Sequence, residues 1–287
     1  MVALVSAWTA ARDKLRQAGV EQPVLDARLL VEAGAGVERM DIITDPRREL
    51  SNDQLAAIDA LVARRAAREP VSHIVGRRAF WKHDFSVTAA VLTPRPETEF
   101  LVELALQQIA PDQAARVLDL GVGSGAILLS VLSERPLATG VGLDLSAGAI
   151  EIGRENTALL NLAARAEFVH GGWDMRFSAP FDVVLSNPPY IRTTDIDTLE
   201  PEVARYEPRL ALDGGADGLD AYRAIIARLH DLLTPGGVYA FEVGAGQADS
   251  VIALLRAAGL SPEQPRRDLV GIARVIWGRM PQMPRLP

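Results

Sequence analysis

The chain has 287 residues, of which 48% are hydrophobic and 23% are charged, and it contains no cysteine. These proportions are typical of a globular protein with one large domain, or with a large and a small one. The lack of cysteine excludes disulfides, thiolate nucleophiles and cysteine-based metal sites. A formal net charge of −7 disfavours a protein that holds nucleic acid on a broad basic surface.

The four histidines are scattered along the chain, at His73, His83, His170 and His230. None has the i,i+4 partner that is typical of a zinc site, so the sequence predicts no bound metal ion. No apolar run approaches the ~20 residues needed to span a bilayer. The first apolar segment also lacks the preceding basic residues of a signal peptide. We therefore expect a cytoplasmic protein.

Residues 1–72 predict a small helical bundle, because their apolar residues recur at helical spacing. Ser51 and Gln54 have the spacing of a capping box at the start of a helix. The predicted helices are Leu4 to Ala18, Pro23 to Ala33, and a third that runs from this capping box to about Arg68. Residues 73–93 predict a linker, in which the alternating pattern from Phe80 to Leu92 is typical of a β-hairpin.

A locally basic stretch covers the end of the third predicted helix and the start of the hairpin. Its members are Arg64, Arg65, Arg68, Arg77, Arg78 and Lys82, with Glu69 as the only acid among them. Such a stretch is compatible with a solvated helix face. It also suggests a docking surface for an acidic protein partner or for nearby RNA.

Residues 94–287 alternate between helical and short apolar strand patterns, which predicts an α/β domain with a doubly wound, mostly parallel sheet. The predicted strands are 116–120, 139–144, 166–170, 181–186, 237–243 and 273–279. Ligands on such sheets bind at the carboxyl ends of the strands. The polar and glycine residues that follow these strands are therefore the first candidates for a site.

A glycine-rich turn follows the first of these strands and precedes an apolar helix. Alternate glycines let the backbone turn tightly and approach a ligand closely. The candidate cofactor-binding residues here are Asp119, Gly121, Val122, Gly123, Ser124 and Gly125. About twenty residues further on, Asp144 ends the second predicted strand, where a carboxylate can accept both hydroxyls of an adenosine ribose.

The glycine turn alone also permits a nicotinamide cofactor, because Gly121, Gly123 and Ala126 satisfy the looser dinucleotide pattern. Asp119 favours S-adenosylmethionine instead. Its carboxylate is placed to meet a cationic amino-acid group and would repel a pyrophosphate. The dinucleotide interpretation also assigns no task to the loop that follows the strand at 181–186.

That loop is Asn187-Pro188-Pro189-Tyr190. Two successive prolines supply no backbone N–H and fix φ near −65°, so neither a strand nor a helix continues through them. The predicted result is a rigid loop with free carbonyl oxygens, an amide side chain and an aromatic ring. Such a loop suits a planar group that carries an NH2. Asn187, Pro188 and Tyr190 are the predicted catalytic residues, and all four residues are predicted to bind the substrate. Asn187 is also a candidate cofactor-binding residue.

Together these motifs resemble the class I S-adenosylmethionine-dependent methyltransferases, and most closely the release-factor glutamine methyltransferases (the HemK/PrmC family). The similarity extends over nearly the whole chain. Beyond the motifs above, it rests on segments 69–76, 80–81, 93–99, 206–212, 213–219, 241–244 and 268–271. The segments at 93–99 and 206–219 discriminate best, because nucleic-acid adenine methylases share the Asn-Pro-Pro-Tyr loop.

The chain departs from this family at two positions. Val122 stands where the family often has Thr, which a side chain that points away from the cofactor would tolerate. Gly172 replaces the acid that usually precedes Trp173, so no side-chain contact from position 172 to an adenine is expected. Trp173 remains and is predicted to pack against the purine.

The resemblance implies methyl transfer from S-adenosylmethionine to the glutamine amide nitrogen (N5) of the Gly-Gly-Gln loop of peptide chain release factors. It also implies that the N-terminal bundle recognises the release factor. We expect a monomer that binds neither membranes nor nucleic acid stably. The alternatives are a ribosomal-protein glutamine methylase, an adenine-N6 methylase on DNA or RNA, a nicotinamide-dependent oxidoreductase and a non-catalytic adenosine-binding module.

Overall fold

The computed structural model describes residues 2–282, which form two compact units. The first unit consists of two separate stretches of chain, 2–77 and 199–206. The second unit contains 78–198 and 207–282. Within these described residues, no helix has both the length and the apolar character that a membrane crossing requires.

The first unit is helical, as the sequence predicts. Its elements are β1 (Val2–Ala3), α1 (Leu4–Gln17), α2 (Pro23–Ala35), α3 (Arg39–Thr44), β2 (Glu49–Leu50), α4 (Asn52–Ala66), α5 (Val71–Val75) and α9 (Pro201–Tyr206). The capping box at the start of α4 is confirmed, because the Ser51 side chain accepts from the Gln54 N–H and the Gln54 side chain accepts from the Ser51 N–H. Fully buried leucines of α1 and α2, such as Leu4, Leu15 and Leu30, form the core of this unit.

Buried ion pairs connect α9 to the rest of this unit. Arg65 lies 2.7 Å from Asp26 and 2.9 Å from Glu202, and its side chain is only 7% exposed. Arg68 pairs with Glu202 at 2.6 Å and with Glu200 at 2.9 Å. A carboxylate at residue 202, far away in the sequence, therefore neutralises cations at the end of α4.

These pairs reduce the positive charge that the basic stretch can offer to a partner, and its role as a docking surface stays a prediction. Arg65 is buried, and Arg68 is occupied by two carboxylates of α9 and its preceding residue. Arg64 pairs with Glu69 at 2.6 Å. A cation that is already paired inside the protein offers little net charge to an acidic partner. The sequence alone could not reveal this, because Glu200 and Glu202 are more than 130 residues away.

The β-hairpin consists of β3 (Arg77–Phe80) and β4 (His83–Ser86), so it begins and ends earlier than the predicted Phe80–Leu92. The residues after β4 do not pair as a strand. Val87 and Val91 are instead buried in a small cluster with Ala149 of the following domain. Val87 and Val91 are four residues apart, a spacing that also places two residues on the same face of a strand, which explains the difference.

The second unit is built on a seven-stranded sheet. Its strands are β5 (Arg116–Leu120), β6 (Thr139–Asp144), β7 (Ala166–His170), β8 (Phe181–Ser186), β9 (Leu233–Glu242), β10 (Arg266–Arg267) and β11 (Ala273–Arg279). Its helices are α6 (Glu99–Gln108), α7 (Ala126–Glu134), α8 (Ala147–Leu159), α10 (Asp220–Ile226), α11 (Leu229–Leu232) and α12 (Ala248–Ala257). Short 3-10 helices lie at Pro96–Thr98, Thr193–Thr198 and Arg209–Ala211.

The strand order is β10-β11-β9-β8-β5-β6-β7. Strands β5 to β9 run parallel, and β10 and β11 are antiparallel to their neighbours. Successive residues of β5 enter two different apolar clusters, Val117 on one face and Leu118 on the other. Helices α6 and α7 contribute to the first cluster, and α10 and α12 to the second. The doubly wound, mostly parallel α/β fold is confirmed.

The predicted strand bounds agree with β5, β6, β7, β8 and β11. Strand β9 begins at Leu233, earlier than the predicted 237, although Pro235, Gly236 and Gly237 are typical of a turn. Its pairing with β8 shifts register between Phe181 and Val183, which accommodates that segment.

Candidate active site

The carboxyl ends of the parallel strands open on a cavity of about 460 Å³. This volume is in the range of small-molecule and cofactor sites. Its walls include Gly121, Val122, Gly123 and Ser124 of the glycine turn, Asp144 at the end of β6, Trp173 after β7, and Asn187 and Pro189 after β8. The structure therefore brings residues from four strand ends, far apart in sequence, into one cavity.

The glycine turn takes its shape from left-handed backbone angles. Gly121, Gly123 and Gly125 have φ of 75°, 55° and 83°. The N–H groups of Gly121 and Val122 both donate to the Leu143 carbonyl, at 2.8 and 3.0 Å, which anchors the turn to β6. A Cβ on Gly125 would come within 2.9 Å of the Phe168 ring. Glycine is thus required there by both conformation and space.

Val122 packs against the sheet. A Cβ on Gly142 of β6 would lie 2.7 Å from a Val122 methyl group, so the absence of a side chain at 142 makes room for the valine. Val122 is 5% exposed and still contributes to the cavity wall. A valine is therefore accommodated at this position without any change in the turn.

Asp119 is completely buried and does not line the cavity. Its Oδ2 accepts a hydrogen bond from the Leu128 N–H at 3.3 Å, whereas its Oδ1 has no hydrogen-bond partner among residues 2–282. Burial raises the pKa of this carboxyl to about 7, the Leu128 N–H opposes the shift, and the Asp144 charge adds to it. A buried carboxylate with one unpaired oxygen favours a positive charge nearby.

Asp144 is held by backbone N–H groups on either side of it. Its Oδ2 accepts from the Gly123 N–H at 2.9 Å, and its Oδ1 accepts from the Ser146 N–H at 2.8 Å. Burial raises the pKa of this carboxyl, and the N–H groups of Ser146 and Gly123 oppose the rise. Each oxygen keeps a further lone pair with which to accept a ligand hydroxyl.

Trp173 is half-buried and forms part of the wall beside the glycine turn. A Cβ on Gly121 would lie 3.4 Å from its ring, so the two residues face each other closely. The Arg228 guanidinium donates to the Trp173 carbonyl at 3.0 Å and fixes the segment. Beside Gly172, where the family's acid is missing, the Asp174 carboxylate lies 3.0 Å from the position that a Cβ would take.

Asn187 follows the last residue of β8, and its side chain has two polar neighbours. Its NH2 donates to the Thr98 hydroxyl at 3.1 Å, and burial raises the pKa of the neighbouring Glu242 carboxyl, a shift that Thr98 and Asn187 oppose. Pro189 also lines the cavity, whereas Pro188 is buried and does not line it. Tyr190 is half-buried, and burial raises the pKa of its phenol to about 12, so the side chain is neutral.

A glycine-rich segment supports the Asn187–Tyr190 loop from behind. A Cβ on Gly214 would lie 2.9 Å from the Pro189 carbonyl oxygen, and a Cβ on Gly218 would lie 2.4 Å from that of Tyr190. The Gln247 side chain donates to the Tyr190 carbonyl at 2.9 Å. The run of glycines at 214–218 therefore allows a close backbone-to-backbone approach that fixes the loop.

The two segments that best distinguish the family also meet each other. Glu207 accepts from the Thr93 N–H at 3.0 Å and from the Arg95 guanidinium at 3.0 Å, and its side chain is 1% exposed. Sequence reasoning did not assign a site role to Thr98, Glu207, Gln247 or Glu242. The signal for three of them was present, because they belong to segments on which the family resemblance rests.

Comparisons with known proteins identify the family of this chain. The family model of the PrmC N-terminal domain matches residues 6–76, and that of the methyltransferase small domain matches residues 97–204. The chain is 53% identical to the release factor glutamine methyltransferase of Caulobacter vibrioides over 96% of each chain. It is 46% identical to that of Rhodospirillum rubrum over 93% of this chain and 82% of the relative.

A solved methyltransferase from Pyrococcus furiosus shares the fold, with a TM-score of 0.53 at 15% identity, over 78% of this chain and 98% of that one. At this level of identity the similarity concerns the fold alone. The sequence relatives go further, since the aligned length extends over both units and over every strand end that lines the cavity. The chain belongs to the release factor glutamine methyltransferase family.

Proposed function

We propose that this enzyme transfers a methyl group from S-adenosylmethionine to the side-chain amide nitrogen of the glutamine in the Gly-Gly-Gln loop of peptide chain release factors. The family assignment supports this reaction. One geometric observation supports the type of acceptor. The Asn187 NH2 donates to the Thr98 hydroxyl at 3.1 Å, beside the Glu242 carboxyl, which leaves its Oδ1 as the polar atom with which to accept an N–H of the substrate.

The cavity has the features that S-adenosylmethionine requires. Gly121 and Gly123 adopt left-handed angles in the cavity wall, with open space beside Gly123, Asp144 presents carboxylate oxygens, and Trp173 supplies an aromatic wall. The buried Oδ1 of Asp119, which lacks a partner within residues 2–282, favours the cationic amino-acid portion through its charge, without direct exposure to the cavity. Asp144 would hold the ribose, and the glycine turn with Ser124 would hold the methionine portion.

When bound, the cofactor supplies an electrophilic methyl group on a sulfonium. The protein's task is to present a poor nucleophile, because a carboxamide nitrogen delocalises its lone pair into the carbonyl. Asn187 Oδ1, in the cavity wall, accepts one amide hydrogen of the substrate. The Pro188 carbonyl is proposed to accept the other and Tyr190 to pack on the amide plane, which requires the substrate to reach beyond the cavity wall, because neither residue lines it. These bonds orient the nitrogen and raise its electron density.

Alignment of this kind can lower the activation free energy by roughly 7–11 kcal/mol. A general base typically accelerates a reaction by a factor of about 10²–10⁴, which corresponds to only about 3–5 kcal/mol. The Asn187–Tyr190 loop itself carries no histidine or acid that could serve as a base. Tyr190 keeps its proton because burial raises its pKa to about 12. We therefore assign catalysis to positioning, with loss of the proton after transfer.

The helical unit is proposed to recognise the release factor, with residues 1–72 as the recognition domain, 73–93 as the linker and 94–287 as the methyltransferase domain. The family model for residues 6–76 supports a separate N-terminal domain. Monomeric behaviour and a cytoplasmic location stay predictions, which sedimentation and cell fractionation would check. The net charge of −7 supports the absence of stable nucleic-acid binding.

The decisive experiment uses a radiolabelled methyl donor and the purified enzyme. The acceptors are a release factor, the same factor with the glutamine of its Gly-Gly-Gln loop replaced by alanine, a ribosomal-protein mixture and an adenine-containing oligonucleotide. We expect label only in the unaltered release factor, and one added methyl on its Gly-Gly-Gln peptide by mass spectrometry. Label in the ribosomal proteins or the oligonucleotide, with none in the release factor, would replace the proposed acceptor.

A further inference from the structure

Glu242 and Thr98 both lie beside Asn187 at the end of the sheet, and the Asn187 NH2 donates to the Thr98 hydroxyl at 3.1 Å. Strands β8 and β9 run parallel, with Ser186 opposite Phe241. Asn187 directly follows β8, and Glu242 is the last residue of β9, so the register places the two residues side by side. Thr98 completes the group from the 3-10 helix that precedes α6.

The direction of these hydrogen bonds follows from the chemistry of the three groups. Burial raises the pKa of Glu242 whereas Thr98 and Asn187 both lower it, so each of the two presents a hydrogen to the ionised form of this carboxyl, which can only accept. Thr98 has a single hydroxyl hydrogen, which it gives to Glu242, so its oxygen must accept from the Asn187 NH2 at 3.1 Å. Both partners of Asn187 therefore require its NH2, and neither can bond to its carbonyl oxygen in this arrangement.

The burial of the Glu242 carboxyl is energetically unfavourable. It is 3% exposed, and its Oε2 has no hydrogen-bond partner among residues 2–282. Burial raises the pKa of this carboxyl to about 7, the Thr98 and Asn187 hydrogen bonds oppose the shift, Glu97 adds to it, and Arg274 counteracts it. A buried, incompletely bonded carboxylate does not stabilise a fold, so a role in the site accounts for it better.

We propose that Glu242 and Thr98 are positioning residues that fix the amide orientation of Asn187, so that its Oδ1 rather than its NH2 faces the substrate. An unfixed asparagine amide has two orientations that differ by a half-turn. The wrong one would present a donor to a substrate amide that also donates, and the two groups would repel. This inference rests on the proposed function of Asn187 as the acceptor for the glutamine N–H.

The first test separates this role from a structural one. Glu242→Leu removes every acceptor at this position, and Thr98→Val removes the hydroxyl but keeps the branched shape. Each should lower kcat for release-factor methylation by about a hundredfold, as expected when a reacting group loses its alignment. The Kd for S-adenosylhomocysteine, measured by calorimetry, should not change. Glu242→Gln keeps one acceptor oxygen and should recover part of the lost kcat.

A matched control is Glu97→Gln, which removes a neighbouring negative charge that faces Glu242 without any part in the chain of hydrogen bonds. It should leave kcat unchanged. Thermal unfolding of all variants reports on folding. If Glu242→Leu loses stability as well as activity, the kcat of Thr98→Val distinguishes a positioning role from a structural one. A wild-type kcat in Thr98→Val would then overturn the inference.

The second test asks whether Glu242→Gln changes kcat in opposite directions in the wild type and in an Asn187→Asp variant. Asn187→Asp removes the donor and places two carboxylates side by side, so kcat should collapse. In that background Glu242→Gln restores a hydrogen bond, because the NH2 of the new glutamine can donate to the carboxylate at position 187. The other oxygen of that carboxylate stays free to accept from the substrate. Glu242→Gln should thus lower kcat in the wild type and raise it in the Asn187→Asp variant, a coupling typical of direct partners. Additive effects of the two changes would refute the inference.

The outcomes also separate this inference from the proposed function. If the wild-type enzyme transfers no methyl group to a release factor, the proposed function fails. If the wild-type enzyme is active and Glu242→Leu and Thr98→Val match its kcat, only the positioning role fails.

Discussion

The Asp144 carboxylate accepts a hydrogen bond from the Gly123 N–H at 2.9 Å, and this bond joins the second strand of the sheet to the turn after the first. The two residues form adjoining parts of the cavity wall. The same carboxylate can therefore shape the glycine turn and bind a ligand hydroxyl.

Replacement of this carboxylate should chiefly affect cofactor affinity. Asp144→Ala removes the acceptor for the ribose and for the Gly123 N–H, so we expect the Kd for S-adenosylhomocysteine to rise by about tenfold or more, the loss of one or two charged hydrogen bonds. Asp144→Asn retains an acceptor oxygen and should weaken binding less. Isothermal calorimetry measures both, and an unchanged Kd in the alanine variant would remove Asp144 from the ribose site.

Loss of the loop amide should affect turnover instead. Asn187→Ala removes the proposed acceptor for the substrate N–H, and we expect kcat to fall by on the order of a hundredfold, with little change in cofactor Kd. Asn52→Ala, on the exposed first turn of α4, is a suitable control. Steady-state methylation of a release factor gives kcat, and near-normal turnover would show that Asn187 does not hold the substrate.

The close approach of two backbone segments behind the loop can be tested with glycines alone. Gly218 and Gly259 have φ of 77° and 79°, so alanine is strained to a similar extent at both. At Gly218 the added Cβ would also lie 2.4 Å from the Tyr190 carbonyl oxygen, whereas Gly259 has open space. Gly218→Ala should therefore lower kcat, and Gly259→Ala should cost only about 1 kcal/mol of stability. Equal kcat values would show that the loop tolerates displacement.

The buried ion pairs of the helical unit should matter for its stability. Arg65→Met leaves Asp26 and Glu202 with one cation fewer in a site where the Arg65 side chain is 7% exposed. Removal of one member of a buried pair typically costs about 3–5 kcal/mol, because the remaining charge lacks compensation. Arg16→Met, at a side chain that is 61% exposed, should change little. Urea denaturation followed by circular dichroism would measure the difference.

Stability should also depend on pH through Glu242. Burial raises its folded-state pKa from 4.5 to about 7, Glu97 adds to the shift, and Arg274 opposes it. The folded state then binds a proton that the unfolded state has released, so its contribution to stability is full below about pH 4.5 and is lost as the pH rises through 7. Glu242→Gln should therefore gain stability relative to the wild type over this interval, on the order of 3 kcal/mol. A difference that does not vary with pH would contradict the raised pKa.

Local features of the site could be predicted from the sequence. The glycine turn, Asp144 and the Asn187 loop each follow an apolar strand, and parallel strands bring their carboxyl ends to one edge. The Glu242–Asn187 pair could not be predicted, because it depends on the register that places Ser186 opposite Phe241. The pairing of Arg68 with Glu202 likewise joins residues 134 positions apart.

The division of the helical unit into two stretches of chain, 2–77 and 199–206, has a practical consequence for anyone who wishes to study it in isolation. A gene fragment that stops at residue 77 would omit Glu200 and Glu202, so Arg68 would lose both of these counter-ions and Arg65 would keep only Asp26. A fragment that keeps these ion pairs would need residues 199–206 joined to residues 2–77 through a flexible linker. Such a miniature should refold where the bare fragment does not.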